Sequence, residues 1–242
     1  MSNEEKKKKN RRWFLGIFKC IAKLLVRKPK FIYLGEKVKP GSIVLSNHAA
    51  KDGPLALECY FKDTPFRFWG THEMNEGLGS VYKYQADVFY HQKKHWPLWL
   101  ARIACVIISP ITYFFYRGLN LISTYPDHRL RRTFKESIET LQDDQAVIIF
   151  PEDSSQGYFD NLLSFHGGFF SLAKICYNKG MDVPIYVIYY KKKARQVIID
   201  KPMLYSQLKD FSREEISKKL CDRANELKDM DVTEHLENNK KD

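Results

Sequence analysis

A histidine and an aspartate stand four positions apart just after an apolar run. His48 and Asp52 follow Ile43-Val44-Leu45. A neutral imidazole is the side chain best suited to accept a proton near pH 7, and a carboxylate bonded to its far nitrogen fixes the tautomer and stabilises the imidazolium. The residue types and their spacing therefore favour a general base, His48, that is oriented by Asp52.

A structural role for Asp52 competes with this catalytic one. Pro54 suits the first turn of a helix, and an aspartate just before that helix is a good N-terminal cap, worth about 1 kcal/mol. Against this, residues four positions apart meet on a helical turn, which favours the pair of His48 and Asp52. The sequence leaves both roles open.

A second apolar run, Val147-Ile148-Ile149-Phe150, is followed by Pro151 and Glu152. Both runs have the length and the β-branched content of buried strands, so both carboxylates are predicted to lie where a strand gives way to a loop. The sequence has no serine or cysteine in a context typical of a nucleophile. A hydroxyl of the substrate is therefore the expected proton donor.

Strand and helix patterns alternate along the rest of the chain. Strands are predicted at 31–34, 42–46, 65–69, 119–123, 146–150, 183–190 and 194–199, and helices after Pro54, Pro126, Gly167 and Phe211. This alternation is typical of an α/β sheet with its sites at the strand ends. We expect an α/β fold, with a mostly parallel or mixed central sheet flanked by helices, as one domain over residues 29–210.

Residues 1–28 combine a basic tail with an amphipathic helical pattern. The apolar stripe of this pattern consists of Phe14, Ile17, Phe18, Ile21, Leu24 and Leu25. A basic helix of this kind lies well in the headgroup plane of an anionic membrane, so we expect a membrane-anchoring helix. A helix that packs on the domain is the alternative.

Residues 96–116 are apolar over nearly the length of a bilayer span. Pro97, Arg102 and Pro110 argue against a simple span, and aromatic residues near both ends are typical of interfacial anchors. The segment is predicted to dip into one leaflet or to line a groove for an acyl chain. A buried core helix that is broken at Pro110 is the other interpretation.

The composition narrows the classes of partner. Lysine and arginine number 40 against 29 aspartates and glutamates, and the net charge of +11 favours an anionic partner: a membrane surface, a nucleic acid or a phosphorylated substrate. Five scattered cysteines without a close pair indicate a reduced cytosolic setting and no zinc or redox motif. Residues 211–242 are predicted to form a C-terminal helix and a charged tail.

The order of the motifs resembles a known enzyme family. Asn47-His48 with nearby Asp52, then Phe150-Pro151-Glu152, then Val183-Pro184-Ile185 resemble the glycerolipid acyltransferases typified by 1-acylglycerol-3-phosphate acyltransferase, over roughly residues 30 to 200. The resemblance implies an α/β acyltransferase fold and membrane association at the cytoplasmic face, peripheral or monotopic. It also implies transfer of a fatty acyl group from coenzyme A, acyl carrier protein or acyl phosphate to a hydroxyl of a lysolipid.

The resemblance also implies roles for individual residues. His48 becomes the general base, Asp52 its orienting carboxylate, and Glu152 the acidic residue of the family's Phe-Pro-Glu-Gly-Thr-Arg block. No covalent acyl-enzyme, no metal, no resident cofactor and no nucleic-acid partner is expected. The residues expected to bind substrate are Asn47, Lys51, Thr124, Glu152, Ser154 and Ser155.

Three departures from the family pattern bear on function. His48 and Asp52 are separated by three residues instead of four, and the family's aspartate, counted from Pro54, falls on Gly53. Thr124 and Ser155 replace the arginines thought to hold the acceptor phosphate, and Asp153-Ser154 replaces Gly-Thr. Lys51 offers a partial substitute, a point charge without a bidentate fork. The alternative function is therefore a catalytically weak scaffold that binds lipid or acyl carrier protein.

Overall fold

A computed structural model describes residues 16, 19–20, 22–23, 26–49, 52–153 and 157–232. Its strands are β1 (Lys30–Tyr33), β2 (Ile43–Ser46), β3 (Phe66–Thr71), β4 (Ile122–Thr124), β5 (Ala146–Ile149), β6 (Pro184–Lys191), β7 (Gln196–Ile199) and β8 (Met203–Leu204). Its helices are α1 (Asp52–Tyr60), α2 (Glu73–Glu76), α3 (Leu78–Lys83), a π-helix (Tyr84–Lys93), α4 (Leu98–Leu119), α5 (Leu130–Gln142), α6 (Gly168–Asn178), a short 3₁₀ helix (Tyr205–Gln207) and α7 (Arg213–Asp229).

The chain forms two compact units. The first consists of Met1–Leu25, Arg67–Glu136 and Ser155–Gly157, and the second of Val26–Phe66, Ser137–Ser154 and Tyr158–Asp242. The predicted strands and the four predicted helices are all found within a few residues of their expected bounds. The expected α/β fold with a mixed sheet and flanking helices is confirmed.

The second unit contains a mixed sheet in the order β1-β7-β6-β2-β5, with β8 added along β6. Strand β2 is parallel to both of its neighbours: Ile43 is in register with Val147 of β5 and with Ile185 of β6. Strand β6 is antiparallel to β7, which is parallel to β1. Since β2, β5 and β6 run in the same direction, their carboxyl ends lie at one edge of the sheet.

The sequence of these strands explains their place in the sheet. All four residues of β2 and of β5 are buried, as is typical of parallel strands covered on both faces. Helix α7 packs on β6 through an apolar face that includes Ile216, Leu220 and Leu227. A capping box at Ser212 starts this helix, because the Ser212 hydroxyl accepts from the N–H of Glu215 and the Glu215 carboxylate accepts from the N–H of Ser212.

The first unit contains the parallel pair β3–β4 and a set of helices dominated by α4. Helix α4 runs through Pro110 without a break, so the interpretation of a helix broken there is wrong. The Thr112 hydroxyl donates to the carbonyls of Ile108 at 3.1 Å and of Ser109 at 3.2 Å, in the helical turn around the proline. Helix α4 ends at Asn120, which adopts a left-handed conformation with φ 53°.

The predicted N-terminal helix lies mostly outside the described residues. Of residues 1–25, the structure describes Gly16, Lys19, Cys20, Ala22 and Lys23, and all five are helical. Ala22 is buried, and so is Val26 just after it. Membrane anchoring by residues 1–28 stays a prediction.

Candidate active site

The residues of the predicted site follow the two parallel strands β2 and β5. His48 comes two residues after β2 ends at Ser46, and Glu152 comes three residues after β5 ends at Ile149. The structure brings them together at the carboxyl edge of the sheet, where the main-chain N–H of His48 donates to Oε1 of Glu152 at 2.7 Å. Both residues belong to the second unit.

Asn47 fastens the end of β2 to the end of β6. Its amide Nδ2 donates to the carbonyl of Tyr190 at 3.2 Å, and its Oδ1 accepts from the N–H of Tyr190 at 2.7 Å. Asn47 is 3% exposed. A buried amide that pairs with both main-chain groups of one residue is a structural tie, and it holds the backbone next to His48. A role of Asn47 in binding substrate stays a prediction.

Main-chain and side-chain contacts both fix the position of Glu152. It forms an antiparallel bridge with Phe165, flanked by hydrogen bonds from the N–H of Asp153 to Ser164 and from the N–H of His166 to Pro151. Its side chain is buried and its carboxylate accepts from the main chain of His48. This contact holds the backbone that carries the imidazole. A role of Glu152 in binding substrate stays a prediction.

Two aromatic side chains fix the plane of the imidazole. The ring of Tyr158 stacks on the His48 ring at 4.8 Å between centroids and 29° between planes, and Phe150 packs at 4.9 Å and 59°. Such contacts restrict a ring that is otherwise free to rotate about its side-chain bonds. Tyr158 carries no motif signal in the sequence, and its role becomes visible only when the loop after β5 is folded.

Gly53 occupies the position at which the family pattern that the sequence resembles would place its aspartate. A Cβ atom at Gly53 would lie 2.5 Å from the carbonyl oxygen of His48 and 2.9 Å from that of Asn47. The N–H of Gly53 also donates to the His48 carbonyl at 3.1 Å. No side chain fits at the position where the family pattern places its aspartate, so the acidic residue of this turn is Asp52.

Asp52 is the first residue of α1, two residues before Pro54. The expected cap of a helix that starts at Pro54 is therefore corrected: Asp52 lies inside the first turn, where a negative charge is favourable beside the exposed N–H groups. Its Oδ2 lies 2.6 Å from Nζ of Lys192. The Asp52 side chain is 12% exposed and that of Lys192 is 65% exposed.

Lys192 is a site residue that sequence reasoning missed. It belongs to the turn that follows β6, where Lys191-Lys192-Lys193 were expected to be merely solvated. The hydrogen bond and the negative charge of Asp52 raise the pKa of the Lys192 ammonium. The signal was the parallel register of β2 and β6, since two adjacent parallel strands bring their following loops to the same edge.

Neighbouring Lys191 behaves differently. Its ammonium donates to the carbonyl of Met230 at 2.7 Å, and burial lowers its pKa. It ties the end of β6 to the segment after α7, so two successive lysines have unrelated roles. Lys191 binds a main-chain carbonyl, whereas Lys192 pairs with Asp52, a residue of the candidate site.

Four predicted binding residues are not brought to His48 by the described contacts. Lys51, Ser154 and Ser155 lie outside the described residues. Thr124 belongs to the first unit, where its hydroxyl donates to the carbonyl of Gly70 at 3.1 Å. Their roles in binding substrate stay predictions.

The cysteines give no sign of a nucleophile. Four of them are buried, and burial raises the pKa of the thiols of Cys176 and Cys221 to about 11. A thiol with so high a pKa stays protonated and unreactive near neutral pH. Within the described part of the chain, no cluster of three or more His, Cys, Asp or Glu side chains is placed to hold a metal ion.

Comparison with known proteins gives a match of fold. No family model matches the sequence, and no curated protein matches it. Among solved structures, the chain is similar to the 1-acyl-sn-glycerophosphate (LPA) acyltransferase PlsC from Thermotoga maritima, with 17% identity, 92% of this chain and 81% of that chain covered, and a TM-score of 0.49. The protein from Thermotoga maritima is a 1-acyl-sn-glycerophosphate acyltransferase, the type of enzyme whose motifs the sequence resembles. A likeness at this level describes the fold alone, so the chemistry of the site rests on its own side chains.

Proposed function

We propose that the protein is an O-acyltransferase that moves a fatty acyl group from an acyl thioester or acyl phosphate to a hydroxyl of a lysophospholipid or a related lipid. The observation that carries the proposal is the fixed imidazole of His48. Its backbone is held by Glu152 and its ring lies between Tyr158 and Phe150, at the carboxyl edge of a parallel sheet. Such an edge is where open α/β folds place their active sites.

The proposed reaction proceeds without a covalent enzyme intermediate. His48 accepts the proton of the acceptor hydroxyl while that oxygen attacks the acyl carbonyl carbon. The tetrahedral oxyanion then collapses, the bond from the acyl carbon to sulfur or to the phosphate oxygen breaks, and the imidazolium gives its proton to the departing thiolate or phosphate. General base catalysis of this kind supplies about 10²- to 10⁴-fold in rate.

Asp52 is proposed to be the carboxylate that orients the imidazole, and Lys192 to be its counter-ion. The support is their position: Asp52 follows His48 by four residues, at the start of α1, and Nζ of Lys192 lies 2.6 Å from Oδ2 of Asp52. Lys192 is mostly exposed and can also meet a phosphate of the acceptor. A lysine binds phosphate as a point charge, without the bidentate fork of the arginines that this sequence lacks.

The proposed setting is the cytoplasmic face of a membrane, where a lysolipid acceptor and an acyl donor meet. Free cysteines and a net charge of +11 fit a reduced compartment and an anionic surface. The donor, including acyl carrier protein or coenzyme A, is proposed as a co-substrate, and no resident cofactor is needed. The protein would lie at this face as a peripheral or monotopic protein.

The direct test measures acyl transfer by the purified protein with a panel of substrates in mixed micelles. Lysophosphatidic acid, lysophosphatidylglycerol and monoacylglycerol are each combined with acyl-CoA, acyl carrier protein loaded with an acyl group, or acyl phosphate, and products are read by mass spectrometry. We expect an acylated lipid from at least one combination, with the intact mass of the protein unchanged. An acylated protein as the productive intermediate would contradict the proposed mechanism.

A catalytically weak scaffold is the second candidate, and one observation favours it. The carboxylate of Asp52 is bound by Lys192, whereas a working dyad needs that carboxylate for the histidine. A scaffold would bind lysolipid or acyl carrier protein without producing an acylated lipid from any combination in the same panel. Turnover that depends on both His48 and Asp52 excludes the scaffold.

A further inference from the structure

Helix α4 presents a stripe of large apolar side chains to solvent. The stripe, here called the α4 stripe, consists of Trp99, Leu100, Ile103, Val106, Ile107, Ile111 and Phe114. Their exposed fractions run from 39% for Leu100 to 72% for Ile107. A contiguous apolar surface of this kind marks a docking site in a folded protein, because leaving it in water costs free energy.

The opposite face of α4 is committed to the first unit. Ala101, Cys105 and Ser109 are buried there. The Ser109 hydroxyl donates to Oε1 of Gln85 at 2.8 Å, and Nε2 of Gln85 donates to the Thr112 hydroxyl at 2.7 Å. Helix α4 therefore has one apolar side available to a partner and one side tied by polar bonds to the π-helix.

The dimensions of α4 fit a lipid surface. It has 22 residues, and the mean hydropathy of its most apolar 18-residue window is 1.8, with 17% of that window buried. The length suffices for a bilayer span, but a helix that packs one face on its own unit exposes only the other face to lipid. Partial immersion in a single leaflet satisfies both faces.

The charged residues around the stripe fit anionic headgroups. Helix α4 contains no acidic residue. Arg102 and Arg117 are exposed on the helix, and Lys94 and His95 are exposed just before it. Arg102 lies 3.5 Å from Asp87, while Arg117 packs over the ring of Tyr113. Trp96 and Trp99 add interfacial side chains at the same end as Lys94.

We propose that the α4 stripe lies in one leaflet of an anionic bilayer, with the helix axis along the membrane plane and Arg102 and Arg117 at headgroup level. Long cationic side chains reach the headgroups while apolar neighbours enter the acyl region. This surface is distinct from the predicted anchor in residues 1–28. Its test requires no acyl transfer, so it stands or fails independently of the proposed reaction.

The test compares two double variants of the full chain on vesicles of phosphatidylcholine with or without phosphatidylglycerol. In Ile103→Asp/Ile107→Asp, two carboxylates enter the stripe. In the control, Leu204→Asp/Phe211→Asp, the same two charges are added at apolar positions of the second unit that are 37% and 44% exposed. We expect the first variant to lose about tenfold or more in affinity for anionic vesicles and the control to stay within about twofold of wild type.

A depth measurement gives an independent readout. Trp99 is 65% exposed at one end of the stripe, whereas Trp69 lies in β3. Lipids brominated on the acyl chain should quench tryptophan emission of the wild type and of Trp69→Phe, but less in Trp96→Phe/Trp99→Phe, which lacks both interfacial tryptophans of α4 and its start. Equal vesicle binding by the two double variants, or equal quenching in the two tryptophan variants, overturns the proposal.

Discussion

A carboxylate follows each of the strands β2 and β5, Asp52 at the start of α1 and Glu152 in the loop after β5, but the two are held in different ways. Glu152, after β5, is buried and accepts a hydrogen bond of 2.7 Å from the main chain of His48. Asp52, after β2, is paired at 2.6 Å with Lys192, a side chain that is 65% exposed. The first contact is between a carboxylate and a fixed backbone, and the second is between a carboxylate and a flexible ammonium.

Glu152 is a fixed support for the backbone of His48, whereas Lys192 is an exchangeable partner of Asp52. A buried hydrogen bond to a charged group contributes about 1.5–3 kcal/mol, whereas an exposed ion pair contributes about 0–1 kcal/mol. The bond from the His48 N–H to Glu152 is therefore the stronger support. In the ion pair, Asp52 is mostly buried and Lys192 is mostly exposed, so the ammonium is the partner that can turn to a substrate phosphate.

Among the variants that test this comparison, Glu152→Ala should cause the largest loss in the rate of acyl transfer. Loss of the acceptor for the His48 N–H lets the imidazole shift, and a displacement of about 1 Å costs on the order of 10²-fold in rate. Glu152→Gln retains an oxygen acceptor and should recover most of the kcat/KM for acyl transfer. Equal losses in the Ala and Gln variants would instead indicate that the negative charge of Glu152 itself matters.

Asn47→Ala tests the other fixed support. Removal of the amide leaves the N–H and the carbonyl of Tyr190 without their buried partner, so the free energy of unfolding should fall by about 2 kcal/mol. Urea unfolding followed by circular dichroism measures the change. The exposed Asn178 supplies the control, and Asn178→Ala should change stability by less than about 0.5 kcal/mol. Similar losses in both variants contradict the structural role of Asn47.

Asp52→Asn should have a smaller effect than Glu152→Ala. The imidazole keeps its aromatic contacts and its fixed backbone, so we expect kcat to fall about tenfold, toward the low end of what loss of an orienting group costs. The pH profile of kcat is measured alongside. A loss of about 10⁴-fold, as when a buried orienting aspartate of a catalytic triad is replaced, would show that Asp52 matters more for activity than Glu152.

Lys192→Met should change substrate binding more than turnover. If Lys192 meets the acceptor phosphate, KM for a lysophospholipid should rise about fivefold while kcat and the KM for neutral monoacylglycerol stay the same, because the lost contact is uniform binding. Lys193→Met removes the same charge from the next residue of the turn, which is also exposed. An identical rise in both variants would mean that general surface charge attracts the acceptor.

The buried part of the fold could be predicted from the sequence. Strand β5 is apolar throughout, β2 is apolar up to its last residue, Ser46, and α7 repeats Ile216, Leu220 and Leu227 on one face, so a local pattern suffices. Residues 73–93 escaped prediction because two short helices and a π-helix do not produce a long period of 3.6 residues. The sequence placed Glu152 in the loop after a strand, and the structure confirms that place, whereas Asp52 is the first residue of α1.

The partners of these carboxylates could not be predicted. Lys192 lies 140 positions beyond Asp52, and the Asn47 amide bonds to Tyr190 at a similar separation. Pairings of this range depend on strand order, which local patterns do not encode. The steric constraint at Gly53 also needed coordinates, because it depends on the approach of Gly53 to the carbonyl of His48.

The most direct test of the central claim compares acyl transfer by the wild type, His48→Ala and His128→Ala. His128 is exposed in the first unit and serves as the matched histidine control. With the folding of all three checked by circular dichroism, kcat/KM should fall about 10²- to 10⁴-fold in His48→Ala and stay unchanged in His128→Ala. Equal rates for the wild type and His48→Ala would show that His48 is not the base.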